Sequence, residues 1–395
     1  MTAPLSGVVV VELGRFITGP FASQLLADLG ARVIKVESPD DGDPFRKWGR
    51  DLYSPYFQAY NRSKQSVAVD LGTDAGRAVV RRLCESADVL IENFRPGVAD
   101  ALHLGFKDLS AVNPRLVYCA ITGFGDDGPY ASRPGFDTVG QALSGLLATT
   151  IDVTADDIEP PPLVGQPVSD ALTGIYAAYG ILGALVSRGS TGRGQRVATS
   201  LLEASAGFLL PSFATLFSVG EAPSPSLRAR SSLAYVFSCA DGLLLAVHLS
   251  SVFWQRLTSA LAAPELHADP RFVSYADRVT NYDELRSLLA PLFAQRTRAE
   301  LMTLLERADV PFAPVLGLHE VVEDRQVQHL GLVQETAHPT HGNLRFIGCP
   351  VRYSDTEPPR ATAPPVLGQD TETVLAEFGF GADEIAALRR NGVVA

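Results

Sequence analysis

The sequence predicts an α/β protein whose main body is a mostly parallel sheet with helices on both faces, followed by a smaller α+β domain. Three observations carry this reading. Short β-branched runs alternate with helix-like segments through the first half of the chain. The alternation stops after a Pro/Ser-rich stretch at 220–226. Hydrophobic residues make up 46% of the 395 residues and charged ones 19%, the balance of a compact globule with a large core.

The elements follow in order. Gly7 to Leu13 is a β-branched run closed by Gly14, as in a strand buried on both faces. Pro20 suits a first helical position, Phe21 to Leu29 supplies the helix, and Gly30 stops it. Ala31 to Glu37 is the next strand. Strand, helix and strand within about 30 residues make a βαβ unit. Its ligand end lies at the strand C-termini, which places Gly14 to Pro20 there.

Ser66 to Asp70 is then a strand, Ala75 to Ser86 a helix opening after Thr73, and Val89–Ile91 and Leu116–Ile121 are further strands. Val139 to Leu147 reads as a helix, and so does Gly174 to Arg188, which is apolar on every face and therefore expected to be buried. After a turn at Thr191–Gly194, Gln195 to Leu202 is a strand running into a helix. Beyond 220 come a hairpin, Tyr235 to Leu249, around Asp241-Gly242, and three helices within 251–308. Val310–Pro314 and Pro358–Pro365 are proline-punctuated connectors. The last helices, Thr371–Phe378 and Ala382–Asn391, are expected to return to the first domain. The expected division is 1–220 as the large domain, 225–335 as the small one, and 340–395 as the returning segment.

A net charge of −11 argues against a protein that grips nucleic acid through its phosphates. Cys84, Cys119, Cys239 and Cys349 lie far apart without a CxxC pair, which fits reduced thiols and a cytoplasmic location. The seven histidines form no ligand-spaced cluster, so no metal is expected. No G-x-S-x-G is present, which disfavours a nucleophile-elbow hydrolase. The N-terminus lacks a basic n-region, and the apolar run Ala171–Val186 falls short of the ~20 residues that span a bilayer, so no membrane role is expected.

Four segments offer chemistry. Asp170 stands between Gly165-Gln-Pro167 and the apolar helix, where a helix N-terminus favours its charge. It reads either as a simple N-cap or as a half-desolvated nucleophile toward an activated acyl group. In Arg133-Pro-Gly-Phe-Asp137 the turn delivers Asp137 just ahead of a helix, as a cap or as a carboxylate that shifts its neighbour's pKa or orients a substrate. Glu92-Asn-Phe-Arg95 follows a strand: Asn93 offers an amide, Phe94 a stacking face and Arg95 a fork for phosphate. Gly14 to Pro20 offers backbone N–H groups, but Gly14 and Gly19 are five apart and the dinucleotide fingerprint G-x-G-x-x-G is absent. Glu37, at the end of the second strand, imitates the ribose-binding acid of that motif.

Taken together, these segments resemble family III CoA-transferases, the CaiB/BaiF group that includes formyl-CoA transferase and α-methylacyl-CoA racemase. The matching pieces appear in order along nearly the whole chain: Leu29-Gly-Ala-Arg-Val-Ile-Lys-Val-Glu37, Asn61-Arg-Ser-Lys64, Glu92-Asn-Phe-Arg-Pro-Gly97, Arg133-Pro-Gly-Phe-Asp137, Gly165-Gln-Pro-Val-Ser-Asp170 and Thr191-Gly-Arg-Gly-Gln195. The resemblance implies a CoA-transferase that moves CoA from an acyl-CoA to a free carboxylic acid. It implies Asp170 as nucleophile, through an aspartyl anhydride and an aspartyl-CoA thioester, with Asp137 as a second catalytic carboxylate. It implies CoA contacts at Arg15, Ile17 and Thr18, at Val69, Asp70, Leu71 and Gly72, at Asn93, Phe94 and Arg95, and at Gly135 and Phe136. Ser38 and Ala101 stand where some members carry an arginine for adenine and phosphate. In the racemase branch a histidine occupies the position of Phe136 and acts as one of two proton bases, so the resemblance favours transfer; racemisation, or CoA binding without catalysis, are the alternatives. The implied fold is a Rossmann-like large domain built from both chain ends plus a small domain, in an interlocked-ring homodimer.

Overall fold

The computed structural model describes residues 3–48, 52–151, 163–223, 227–357 and 359–395. The end of the Pro/Ser boundary, 224–226, and Pro358 therefore lie outside the described residues. The chain divides into two compact units, one of Met1–Leu147, Pro161–Pro211 and His329–Ala395, the other of Ala148–Pro160 and Ser212–Gln328.

The first unit is built on six strands, β1 (Val9–Glu12), β2 (Arg32–Glu37), β3 (Lys64–Ala68), β4 (Val89–Glu92), β5 (Val117–Thr122) and β6 (Arg196–Ser200). They form one sheet in the order β3-β2-β1-β4-β5-β6, with each neighbouring pair parallel. Its helices are α1 (Thr18–Asp28), α2 (Pro55–Asn61), α3 (Asp74–Cys84), α4 (Val98–Ala101), α5 (Phe106–Val112), α6 (Asp137–Leu143), α7 (Val168–Thr191) and α8 (Leu201–Phe208). Because side chains alternate across a strand, Val10, Val33, Ile91 and Cys119 face α1 and α7. Val11, Ile34, Leu90 and Tyr118 share the opposite core with α3, α5 and the helices Thr371–Glu377 and Ala382–Arg390. The chain end thus returns to the sheet, and Val394 bridges Val69 just past β3. The sheet is buried on both faces, which is why its strands read as unbroken apolar runs.

Strand order reverses between β1 and β4, so the loops that leave these two strands diverge to opposite faces and open a crevice at their C-terminal ends. Those loops are Leu13–Ile17 and Asn93–Gly97.

Several expectations need correction. Helix α1 begins at Thr18, two residues ahead of Pro20, and the proline is tolerated because N–H groups of a first turn have no intrahelical partner. Helix α7 is longer at both ends than its apolar run, and Asp170 is its third residue instead of its cap. Nor is α7 buried all round. Ala177, Ala178, Ile181 and Ala184 cover the sheet, while Ile175, Tyr179 and Val186 are exposed. By length and composition α7 would also span a bilayer, but its small residues are committed to β-strands and α1.

The second unit carries the hairpin, Ala234–Ser238 with Leu244–His248, antiparallel as expected from Asp241-Gly242. Five helices occupy 251–307 where three are expected, because short turns split the apolar pattern. The connector Val310–Pro314 contains a third strand, Phe312–Pro314. It pairs with Leu244–His248 alone, and an edge strand tolerates proline. A separate core around Trp254, Phe272, Leu289 and Phe293 holds this unit together.

Candidate functional site

The loop from β1 to α1 crosses itself. A Cβ at Gly14 would stand 3.0 Å from the Cα of Gly19, and one at Gly19 would meet Gly14 at the same distance, so both glycines are needed for the approach. Phe16 lies between them with φ of 64°, a left-handed conformation costly for a bulky residue, on the order of 1–3 kcal/mol. Asn93, from the facing loop, holds the turn: its Oδ1 accepts from Arg15 N (2.9 Å), and its Nδ2 donates to Arg15 O (2.7 Å) and Thr18 Oγ1 (3.0 Å). The amide of Asn93 is therefore spent on the loop. Arg15 lies 5.6 Å over the Phe94 ring.

Asp170 and Asp137 meet at the start of α7. Pro167, at the cap position, has no side-chain hydrogen bond to give, and the role passes to Asp137 from α6. Asp137 Oδ1 accepts from Ser169 N (2.8 Å) and Asp170 N (3.2 Å), and Oδ2 accepts from Gln141 Nε2 (2.5 Å) one turn along α6. Two orphan donors of α7 are satisfied by a carboxylate 33 residues away in sequence from Asp170. Behind it, Ser169 Oγ bonds to Ser205 Oγ (2.7 Å) in α8, which locks the first turn. Asp170 is half-buried. Burial pushes its carboxyl up to about 7, and the nearby charge of Asp137 acts in the same direction.

Two cavities adjoin at the crevice. One, of about 300 Å³, is lined by Arg15, Ile17, Thr18, Asn93, Phe94, Arg95, Gly135, Phe136 and Asp170. The other, of about 290 Å³, lies over the ends of β1, β2 and β3 and is lined by Val69, Asp70, Leu71, Gly72 and Ser38. Arg15 and Phe94 line both and mark where they join. Every candidate residue but Asp137 therefore fronts one cavity or the other, and Asp137 stands behind Asp170 as its anchor. Ala101 lines neither.

Glu37 does not imitate a ribose-binding acid. Its oxygens accept from Arg46 Nε and Nη2 (2.7 Å each), Ser66 Oγ (2.7 Å) and Asp43 N (2.9 Å). Burial alone would raise its carboxyl, but the Arg46 fork, Lys35 and Ser66 outweigh burial and hold it below the usual range. It is a structural anion. Sequence reasoning also missed Phe16 and Leu201, which line the wall around Asp170, and Arg133, which lines the same cavity with its guanidinium 3.8 Å over the Tyr130 ring. The signal for Arg133 was available, since it opens the segment that supplies Asp137. Phe16 gave none, because a left-handed phenylalanine has no sequence mark. Among the described residues no group of three or more His, Cys, Asp or Glu side chains is placed to hold a metal.

A parallel sheet with a crevice at its switch point, leading to a carboxylate in the first turn of a helix, puts the chain among α/β proteins that take a ligand at the strand ends. The chain belongs to CoA-transferase family III, whose family model matches residues 5–371. It is 36% identical to the succinyl-CoA:glutarate CoA-transferase of Mus musculus over 397 residues, covering 99% of this chain and 90% of that protein. It is 32% identical to the formyl-CoA:oxalate CoA-transferase of Streptomyces avermitilis, covering all of both chains. Among solved structures, a CAIB/BAIF family protein from Brucella suis superposes with a TM-score of 0.84 at 34% identity, covering 96% of this chain and 100% of that one.

Proposed function

We propose that the protein transfers CoA between short dicarboxylic acids, with Asp170 as covalent carrier. The Asp170 carboxylate attacks the thioester carbonyl of the donor; the C–S bond breaks, and a mixed anhydride and CoA thiolate form. The thiolate then attacks the aspartyl carbonyl of the anhydride; the C–O bond to the donor acid breaks, the donor leaves as a carboxylate, and an aspartyl-CoA thioester forms. The acceptor carboxylate attacks that thioester to give a second anhydride and thiolate. Attack of the thiolate on the acceptor's carbonyl yields the new acyl-CoA and frees Asp170. Each step exchanges one activated acyl for another of similar energy, so no further cofactor is required beyond the CoA of the substrate.

The observation that carries this reading is Asp170 itself, half-buried in the wall of one cavity that adjoins a second over the strand ends. Two adjoining cavities suit adenosine diphosphate on one side and a pantetheine arm on the other. A partly desolvated carboxylate is more nucleophilic than a fully hydrated one. Arg15, Arg95 and Arg133 line the same cavity and supply positive charge there for phosphates and for a distal carboxylate. The names of the relatives each include a dicarboxylate, succinyl and glutarate in one and oxalate, beside formyl, in the other. Asp137 acts by fixing the first turn of α7. Phe136, 62% exposed and apolar, offers no second proton base, so racemisation is not supported.

The test is chemical trapping. Incubation with succinyl-CoA and hydroxylamine should leave a mass change on Asp170, and Asp170→Ala should abolish both trapping and transfer. A full panel of dicarboxylic acyl-CoA thioesters that leaves Asp170 unmodified would sink the proposal. We also place the protein in the cytoplasm, where its four free cysteines would remain reduced.

A further inference from the structure

The segment Asn61-Arg-Ser-Lys64 resembles the family yet supplies no residue to either cavity. It lies at the end of α2 and the start of β3, beneath α1 and the loop that precedes it. Lys64 Nζ donates to Pro20 O (2.8 Å), Asn61 Oδ1 (2.9 Å) and Glu12 Oε2 (2.8 Å). Lys35, on the neighbouring strand, donates to Gly14 O (2.9 Å) and Glu12 Oε1 (2.9 Å), and also pairs with Asp43 (2.9 Å). Ser23 Oγ closes the ring by donating to Glu12 Oε2 (2.7 Å). Glu12, Lys35 and Lys64 side chains are all fully inaccessible to solvent.

The placement is specific. The two lysines, joined through Glu12, grip the Gly14 carbonyl near the start of the substrate-facing loop and the Pro20 carbonyl in the first turn of α1, while Asp43 Oδ1 accepts from Phe16 N between them (3.4 Å). A buried ion cluster is seldom the cheapest way to stabilise a fold, since well-packed apolar residues often do as well. What charged donors add is fixed direction at named carbonyls, and here those carbonyls bracket Arg15, Phe16, Ile17 and Thr18. Burial alone would raise the Glu12 carboxyl, but the two lysines together hold it below its usual value. Burial brings the Lys64 ammonium down to about 8 against the pull of Glu12, so its charge is held at a cost to the fold.

We infer that Lys64, with Lys35 and Glu12, is a positioning residue of the transfer reaction, holding the loop and the first turn of α1, Gly14 to Pro20, in their strained, CoA-receiving shape from below. The inference rests on the proposed CoA chemistry only for its kinetic readout. Arg62 supplies an internal control. Two residues earlier in the same segment, it makes a two-pronged pair with Asp28 at the far end of α1 (2.8 Å each) and touches neither the loop nor a cavity.

The experiment compares full-length wild type, Lys64→Met and Arg62→Met by CoA calorimetry, steady-state kinetics and thermal melting. Both variants should melt earlier. Only Lys64→Met should weaken CoA binding and raise the acyl-CoA KM, each about tenfold, with kcat/KM falling about a hundredfold, the size expected when reacting groups are misplaced by about 1 Å. The acceptor-acid KM should stay unchanged. A merely structural role would lower kcat with the folded fraction and leave both KM values alone, and that result overturns the inference. If Lys64→Met does not fold, Asn61→Leu takes its place; it removes one acceptor of Lys64 and no charge, and should shift the acyl-CoA KM in the same direction, while an unchanged KM counts against the inference. If wild type binds CoA but forms no Asp170 adduct, the transferase reading falls, and weaker CoA binding by Lys64→Met still upholds the role of the loop clamp.

Discussion

Asp170 has two properties that pull in opposite directions, and both are measurable. As the proposed nucleophile it must be ionised, yet burial, aided by Asp137, raises its carboxyl to about 7. The protonated form is inert, so kcat/KM should fall about tenfold per pH unit below 7 and level off above it. A profile flat between pH 5.5 and 8.5 would show that Asp170 ionisation does not limit the reaction. The same shift acts on stability. A carboxyl with a raised folded pKa binds its proton more tightly when folded, so its cost to folding is absent below the unfolded value near 4 and fully present above 7. Asp170→Asn should therefore raise Tm at pH 8 more than at pH 4, while ending activity, the trade expected of a residue kept for chemistry. Asp137→Asn keeps an acceptor for the Ser169 and Asp170 N–H groups but loses the charge, so the acid limb of the profile should move to lower pH. Asp137→Ala removes the cap as well and should destabilise by about 1–2 kcal/mol in denaturant melts. Asp170 stood out as a carboxylate ahead of an apolar run, but position alone read equally as a cap, and only the family resemblance raised the nucleophile reading above it. That Asp137 would cap a helix begun more than thirty residues later was not legible, since this partnership exists only once β5, α6 and α8 have brought the two segments together.

At the level of elements, the sequence pattern was readable wherever one local rule dominated. Thr73 was expected to open a helix, and its side chain accepts from Gly76 N as a cap. The alternation of strands and helices gave the sheet, because burial on both faces leaves a continuous apolar signature. Where tertiary contacts overrode the local rule, the reading failed. Pro20 did not mark the start of α1, and the apolar stripe of α7 did not mean burial, because the sheet covers only one side of it. The crossing of these two helices places both halves of the site, since α1 follows the substrate-facing loop and α7 bears Asp170. Gly174 sits at that crossing: a Cβ there would stand 3.0 Å from the Phe21 ring and 3.1 Å from Thr18 O. Gly174→Ala must push α1 from α7 by a few tenths of an ångström. It should cost about 1–3 kcal/mol as an overpacked contact does. It should also raise the acyl-CoA KM, because Thr18 is both at the contact and in the cavity wall. An alanine variant with wild-type KM and Tm would show that the crossing tolerates the extra atom.

For the whole molecule, the question is what covers the apolar surface that a single chain leaves open. Tyr179 and Val186 on α7 are 73% and 79% exposed, and Phe217 and Val219, on the helix Leu210–Val219, are 79% and 69% exposed. Single exposed apolar residues are ordinary, but each of these helices, taken by itself, carries large ones, and apolar helix faces of this kind are suited to a partner chain. Composition hid this, since an apolar helix inside a core and one covered by a second chain have the same sequence. We propose that the partner is a second copy, in the interlocked arrangement that the family resemblance implies. Light scattering should then give twice the 42.2 kDa chain mass. Linked rings cannot separate without unfolding, so that mass should persist on dilution to nanomolar concentration and melt in one step. Val186→Glu and Phe217→Glu should lower Tm without changing the pH dependence of any residual activity, because neither lines a cavity at the active carboxylate. A monomer at every concentration, fully active, would require these faces to be solvated in the working enzyme and would overturn the assembly proposal without touching the chemistry at Asp170.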